Sequence, residues 1–213
     1  MIAAGPSSAE NSLQFVAETT LPTSAGGLVV RAYRDANGKE PVALFATTPA
    51  YGKPCFVRIH DSCFTSEVLG SLKCDCASQL SFALTFVRER GGVVIYLPQE
   101  GRGIGLANKL LAYSLQEKGL DTVDANLALR LPADAREYTA AAEILHDLGI
   151  SQIHLLTNNP RKVEKISELG IEVLSRVPIE TDVNPHNLGY LQTKRARMGH
   201  MFSDIVPCPK EKK

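Results

Sequence analysis

Three cysteines near the middle of the chain have the spacing and chemistry of a metal site. Cys63, Cys74 and Cys76 form a C-x10-C-x-C arrangement, and grouped thiolates are soft ligands that favour zinc. A structural zinc site is normally closed by four protein ligands, whereas a catalytic site leaves one position open. Three cysteines therefore favour an open, catalytic zinc. Two alternatives remain: a closed site with His60 as fourth ligand, and three unrelated core cysteines.

A glycine-rich segment inside residues 93–116 has features of an anion-binding loop. An apolar run is followed by alternating glycines from Gly101, with Arg102 between them, and then by a helical pattern that contains Lys109. Glycine allows close approach of the backbone to a ligand, and a helix N-terminus attracts anions. Phosphate would repel the carboxylate of Glu100, which would instead suit the N–H edge of a guanine. The spacing matches no dinucleotide or P-loop fingerprint, so a plain tight turn remains an alternative.

A second candidate for phosphate binding lies in residues 154–165. An apolar run ends at Thr157, and Pro160 can open a helix that carries Lys162 in its first turn. Basic groups beside free helical N–H groups suit a phosphate. An ordinary capped helix with solvated lysines is the alternative.

The segment from Asp134 to Glu137 also has two interpretations. Asp-x-x-Glu is typical of a capping box at the start of a helix. Arg136 from the same turn could instead meet a phosphorus centre, with Asp134 beside it to accept a proton. Tyr113, in the helical pattern after the glycine-rich segment, is of a type found more often in a core or an interface than in catalysis.

Composition excludes several classes of protein. Lys plus Arg and Asp plus Glu both number 23 among 213 residues, so no global positive field would collect nucleic acid or a membrane surface. The chain has no run of 18 apolar residues, and its first residues lack the basic start and long apolar stretch of a secretion signal, so we expect none. Five cysteines, an odd number, fit a reducing compartment. We therefore expect a cytoplasmic protein with no nucleic-acid or membrane partner.

The sequence pattern around these residues predicts a mixed α/β (α+β) fold, whose helices and strands would position them. We expect a flexible lead-in at residues 1–18, one catalytic domain at 19–201 and a flexible tail at 202–213. Short apolar segments at 26–35, 40–47 and 55–60 predict an N-terminal antiparallel sheet. After Cys76, four helical patterns end in glycine and give way to apolar runs, at residues 93–98, 120–125, 150–157 and 171–178. Such helix-Gly-strand alternation is typical of a layered domain whose strands are buried on both faces.

Ordered sequence blocks resemble the GTP cyclohydrolase II family over roughly residues 20 to 201. The blocks are RIHDSCF with SLKCDCASQL, QEGRGIGLANK, AYSLQEKGLDTVDAN, ADAREYTAA, LLTNNPRKVE and TKRARMGH. The resemblance implies zinc on Cys63, Cys74 and Cys76, Asp134 as proton acceptor, Arg136 as nucleophile toward the α-phosphorus, and Tyr113 assisting at the ring. It implies substrate contacts from Arg58, His60, Gln79, Glu100, Gly101, Arg102, Thr122, Thr157 and Lys162. It also implies GTP as substrate, Mg²⁺ with the triphosphate, and a homodimer.

The activity that the resemblance implies is hydrolytic opening of the guanine imidazole ring of GTP. Formate and pyrophosphate would leave, giving 2,5-diamino-6-(ribosylamino)-4-pyrimidinone 5'-phosphate for riboflavin biosynthesis. The chain departs from the family at Ser62, where a Glu usually precedes the first zinc cysteine, and has Asp61 one position earlier. A one-residue offset on a strand points a side chain to the opposite face. A related cyclohydrolase that stops at a formylated intermediate or accepts UTP, and a non-catalytic nucleotide-binding protein, therefore remain as alternatives.

Overall fold

One mixed sheet organises the chain. The computed structural model describes residues 13–24, 26–117, 119–120, 124–125, 128–132 and 134–202. Within them the strands are β1 (Gln14–Thr23), β2 (Gly26–Arg34), β3 (Val42–Phe45), β4 (Cys55–Asp61), β5 (Val93–Leu97), β6 (Gln152–Leu156) and β7 (Glu172–Val177). Their order across the sheet is β1-β2-β3-β5-β4-β6-β7. The predicted α/β class is confirmed.

Helices connect and cover these strands. The described α-helices are α1 (Phe64–Glu67), α2 (Cys76–Arg90), α3 (Leu106–Gln116), α4 (Thr139–Asp147), α5 (Pro160–Glu168) and α6 (Leu188–Met198), and a 3₁₀ turn spans Glu100–Gly103. No helix among the described residues has the length and apolar content needed to cross a membrane.

The N-terminal strands differ in two respects from the expectation. β1, β2 and β3 are antiparallel as predicted, but β4 pairs in parallel with both β5 and β6. The prediction that residues 55–60 join an antiparallel sheet was wrong, because helix α2 crosses over between β4 and β5 and so returns the chain in the same direction. β1 begins at Gln14, inside the lead-in expected at residues 1–18, and pairs with β2 along its length. Residues 1–12, and the predicted tail beyond Phe202, lie outside the described residues.

The helix-Gly-strand pattern holds in three of its four places. Helices α2, α4 and α5 are each followed by a glycine with positive φ, at Gly91 (78°), Gly149 (68°) and Gly170 (85°), and then by a strand. The strand predicted at residues 120–125 was wrong for the part described, because residues 124 and 125 are helical. Asp124 interrupts the apolar run that a strand buried on both faces requires.

Helices pack on both faces of the central strands. Ala83 and Val87 of α2 pack on Val94 at one face, while Ile144 of α4 and Ile166 of α5 join the core at the other. The central strands β4, β5 and β6 are parallel, so their carboxyl ends meet at one edge of the sheet. Ligand sites in such sheets form at that edge.

Candidate active site

A cleft lies at this edge and collects most of the predicted site residues. The segments that follow β4, β5 and β6 contribute to its walls, together with α3 and α6. The predicted residues that line it are Arg58, His60, Cys63, Cys74, Cys76, Gln79, Glu100, Gly101, Arg102, Tyr113, Arg136, Thr157 and Lys162. Asp134 does not line the cleft but contacts Arg136 directly behind it. Thr122 lies outside the described residues.

The three cysteines form a compact group whose geometry suits zinc. Their sulfur atoms all lie within 4.8 Å of one another, and the Sγ atoms of Cys63 and Cys74 are 3.7 Å apart. Tetrahedral zinc with Zn–S bonds of about 2.3 Å places two sulfurs about 3.8 Å apart. The pKa of Cys63 is well below its ordinary value because the thiols of Cys74 and Cys76 and the Lys109 ammonium donate hydrogen bonds to its sulfur. The group can therefore hold a metal ion, and the alternative of three unrelated cysteines was wrong.

His60 is not part of this group. Its Nε2 atom lies 2.9 Å from Oε1 of Glu67, whose second oxygen accepts a hydrogen bond from the Tyr96 hydroxyl at 2.7 Å. Burial lowers the pKa of His60. Among the described residues, no histidine or carboxylate joins the three cysteines. The structure thus favours three protein ligands over a site closed by His60.

Lys109 ties the cysteine group to the glycine-rich loop. Its Nζ atom lies 3.0 Å from Sγ of Cys63, 2.8 Å from Oγ1 of Thr65 and 2.7 Å from Oε1 of Glu100. The other oxygen of Glu100 accepts a hydrogen bond from the Phe64 amide at 2.6 Å. Burial opposes the charge of Lys109, but the hydrogen bonds to Glu100 and Cys63 outweigh it and raise its pKa. Lys109 therefore brings a fixed positive charge to the cysteine group.

Two carboxylates hold Arg136. Its Nε and NH2 atoms donate to Asp134 at 2.8 and 2.6 Å, and its NH1 atom donates to Oδ2 of Asp61 at 2.9 Å. Burial raises the pKa of Asp134, but the hydrogen bonds and charge of Arg136 outweigh burial, so that pKa is lowered. The capping-box interpretation of Asp134 was wrong, because α4 begins only at Thr139 and has no side-chain cap. Asp134 positions Arg136 instead.

Lys162 is buried beside this pair. Its Nζ atom donates to the Ile59 carbonyl oxygen at 2.8 Å and to Oδ2 of Asp61 at 3.0 Å. Helix α5 begins at Pro160 as predicted, and the Asn159 side chain caps it. Burial lowers the pKa of Lys162 to about 7, although the charge of Asp61 opposes that shift.

A chain of side chains links Arg58 to the last described helix. Arg58 NH2 donates to Gln79 Oε1 at 2.6 Å, Gln79 Nε2 donates to Asp75 Oδ2 at 2.5 Å, and Lys194 Nζ donates to Asp75 Oδ1 at 3.0 Å. Arg58 and Gln79 were predicted, whereas Asp75 and Lys194 were not. Lys194 belongs to the block TKRARMGH, but no local spacing pairs a lysine with an aspartate 119 residues away.

Arg102 is available for an anion. Its backbone φ of 62° is unusual for a residue with a side chain, and its guanidinium carbon lies 5.8 Å from the ring centroid of Tyr190 on α6. Both terminal nitrogens are buried and have no hydrogen-bond partner among the described residues. Buried donors of this kind are normally paired. Arg102 lines the cleft, so these nitrogens can donate to a ligand there.

Comparison with known proteins identifies the family of this chain. The family model for GTP cyclohydrolase II matches residues 14–178. Similar relatives named GTP cyclohydrolase-2 come from Neisseria gonorrhoeae, 47% identical over 90% of this chain and 98% of the relative, and from Shewanella sediminis, 45% identical over 94% and 99%. A solved two domain 3,4-dihydroxy-2-butanone 4-phosphate synthase from A. baumannii matches with 20% identity and a TM-score of 0.46, over 82% of this chain and 42% of that one. On the family match and the identity of these relatives, this chain belongs to the GTP cyclohydrolase II family.

Proposed function

We propose that this chain hydrolyses GTP as a GTP cyclohydrolase II. The imidazole ring of guanine is opened, formate and pyrophosphate leave, and 2,5-diamino-6-(ribosylamino)-4-pyrimidinone 5'-phosphate is formed for riboflavin synthesis. The observation that carries the proposal is that a single cleft is lined both by three clustered cysteines and by the cations Arg136 and Lys162. One nucleotide can then meet a hydrolytic site and a phosphate site at once.

The cysteine group serves the ring of the base. Zinc on Cys63, Cys74 and Cys76 would supply a Lewis acid for hydrolysis. Three thiolates make the site electron-rich, and Lys109 at 3.0 Å from Cys63 offsets part of that charge. Burial raises the pKa of Tyr113 to about 12, so its hydroxyl keeps a proton that it can donate toward the ring at neutral pH. The carboxylate of Glu100 is placed beside Cys63 through Lys109, where it suits the N–H edge of guanine.

The cationic groups serve the triphosphate. Arg102, Arg136 and Lys162 offset its charge, and Mg²⁺ would accompany it and stabilise the leaving pyrophosphate. Attack by Arg136 on the α-phosphorus would form an N–P bond and expel pyrophosphate, and water would then cleave that bond to release the pyrimidine 5'-phosphate. Burial lowers the pKa of Arg136, but the hydrogen bonds and charge of Asp134 and Asp61 outweigh burial and hold that pKa well above its ordinary value, so the guanidinium must give up its proton as the N–P bond forms. The carboxylate of Asp134, at 2.6 and 2.8 Å from two of its nitrogens, is the base within reach of that proton.

We further propose that the chain forms a homodimer. Exposed apolar side chains lie between Cys63 and Cys74 and on α3: Val68, Leu69, Leu72, Leu110 and Leu111. The two segments are neighbours, because Lys73 Nζ lies 3.0 Å from Oε1 of Glu117. Apolar side chains clustered on a surface are typical of an interface between subunits. Sedimentation equilibrium should give a dimer, and Leu69→Glu should convert it to a monomer.

The experiment for the activity is product analysis by mass spectrometry. The zinc-loaded protein is incubated with GTP and Mg²⁺, beside Cys74→Ser, and the pyrimidine product is identified by mass. The deformylated pyrimidine phosphate supports the proposal. A product that retains the formyl group would instead assign an early-stopping enzyme, turnover of UTP without GTP would assign another nucleotide, and absence of any turnover would assign a binding protein.

A further inference from the structure

Asp61 places one carboxylate oxygen between two cations of the cleft. Its Oδ2 atom lies 2.9 Å from NH1 of Arg136 and 3.0 Å from Nζ of Lys162. The side chain is 12% exposed and lines the cleft. Its second oxygen, Oδ1, is buried and accepts no hydrogen bond from any described residue. Among the described residues, hydrogen-bond donors therefore reach only one of the two carboxylate oxygens of Asp61.

Proteins also bind phosphate in this way, with one anionic oxygen held by both an arginine and a lysine. Both cations donate charge-assisted hydrogen bonds, and neither distinguishes a carboxylate oxygen from a phosphoryl oxygen by charge. Besides Asp61, Lys162 donates to the Ile59 carbonyl oxygen, and the Nε and NH2 atoms of Arg136 donate to Asp134. Lys162 keeps one N–H and Arg136 keeps two that no described residue accepts, so a phosphate can contact either cation alone. A phosphate oxygen that bridges the two cations, however, must compete with Asp61.

We propose that Asp61 is an internal anion that occupies a phosphate position between Arg136 and Lys162 and thereby weakens binding of anions to the cleft. The inference rests on the proposed function, because the competing anion is the phosphate tail of the nucleotide. Asp61 contacts Arg136 and Lys162 and is not part of the cysteine group, so its charge acts at the phosphate site. Asp61 would thereby determine specificity, because only a ligand with enough negative charge on its phosphates could displace its carboxylate from the two cations.

The opposite role for Asp61 makes the opposite prediction. If Asp61 only holds the two cations in place, its removal disorders them and weakens the binding of phosphate. If it competes with phosphate, its removal strengthens binding. The sign of the change therefore decides between the two roles.

Titration calorimetry with inorganic pyrophosphate, in the absence of Mg²⁺, measures that sign. The charge of Asp61 supports that of Lys162, whose pKa is about 7, so the parent and Asp61→Asn are compared in a Lys162→Arg background that stays charged without Asp61. There we expect Asp61→Asn to bind pyrophosphate at least about tenfold more tightly, because a charge at hydrogen-bond distance from the site is removed. Asp147→Asn is the matched control. Asp147 also pairs with an arginine, Arg31, and with the Tyr33 hydroxyl, but it lies outside the cleft, so its change leaves the affinity as it was. Equal or weaker binding by Asp61→Asn overturns the proposal.

A thermal measurement in the same Lys162→Arg background keeps the test decisive if Asp61→Asn is less stable. Two buried cations lose their shared partner in this variant, and pyrophosphate should then raise its melting temperature more than that of the parent protein. A smaller rise overturns the proposal. Turnover of GTP by the parent protein is measured separately. Formate release by the parent together with unchanged pyrophosphate binding in Asp61→Asn defeats this inference alone, whereas tighter binding without any GTP turnover defeats the proposed function alone.

Discussion

The amide of Ala135 donates a hydrogen bond of 3.0 Å to the carbonyl oxygen of Arg102. This bond joins the glycine-rich loop to the turn that carries Arg136. Gly103 lies at the same crossing, where an added Cβ atom would be 2.8 Å from the carbonyl oxygen of Ala135. The relative position of the two loops that carry Arg102 and Arg136 therefore depends on the absence of a side chain at Gly103.

Gly103→Ala should reduce activity through this crossing. The new methyl group collides with backbone, so the turn must move and carry Arg136 with it, and we expect kcat/KM for GTP to fall at least about tenfold. Gly105→Ala is the control, since its φ of 87° resembles the 89° of Gly103 but its Cβ would have nothing within 4 Å. Both variants should also lose stability from the positive φ, by about 1–3 kcal/mol each. Equal losses of activity would contradict the role of the crossing.

Cys74→Ser should remove the metal and the ring chemistry together. Two thiolates and a hydroxyl bind zinc much more weakly than three thiolates. We expect both the zinc content and the release of formate to fall to background. The zinc content is measured by inductively coupled plasma mass spectrometry. Cys55→Ala is the control, because burial raises the pKa of Cys55 to about 11 and its thiol is not part of the group. Retention of zinc by Cys74→Ser would refute the assignment.

Arg136→Lys should separate the two reactions. Lysine keeps the charge but cannot form the hydrogen bonds that the planar guanidinium donates to Asp134 and Asp61. We expect pyrophosphate release from GTP to fall at least about a hundredfold, while formate release continues to a larger extent because the cysteine group is unchanged. Parallel assays of formate and pyrophosphate provide the measurement, and equal loss of both would show that Arg136 does not serve the phosphorus centre specifically.

The activity should decline with rising pH because of Lys162. An ordinary lysine stays charged until about pH 10, but burial lowers the pKa of Lys162 to about 7. Its positive charge is thus lost as the pH rises through that value, and the affinity for the triphosphate falls with it. We expect kcat/KM for GTP to decrease as the pH rises from about 6 to 8, on either side of the pKa of Lys162, and Lys162→Arg to remove that decrease because arginine remains charged. A flat profile in the parent protein would contradict this.

Local patterns predicted the parts of the fold that depend on neighbours in sequence. The glycines after α2, α4 and α5 indicated where helices end, since the positive φ at Gly149 and its counterparts is a local property. Cys63, Cys74 and Cys76 could be predicted as a group because three thiols within a short segment have few other uses. Pro160 marked the start of α5 for the same kind of reason.

Relationships between distant segments could not be predicted in this way. The direction of β4 depends on pairing with β5 and β6, and β6 begins almost a hundred residues later in the chain. Arg136 has a second carboxylate partner, Asp61, which stands 75 residues earlier in the chain and shows no local sign of that contact. Asp61 likewise gives no local sign of its contact with Lys162, 101 residues away.

Simultaneous measurement of formate and pyrophosphate from GTP tests the central claim most directly. The zinc-loaded protein with Mg²⁺ should release the two products in equal amounts over one time course, and the cysteine variant should lose formate. Pyrophosphate without formate, or no consumption of GTP at all, would contradict the account.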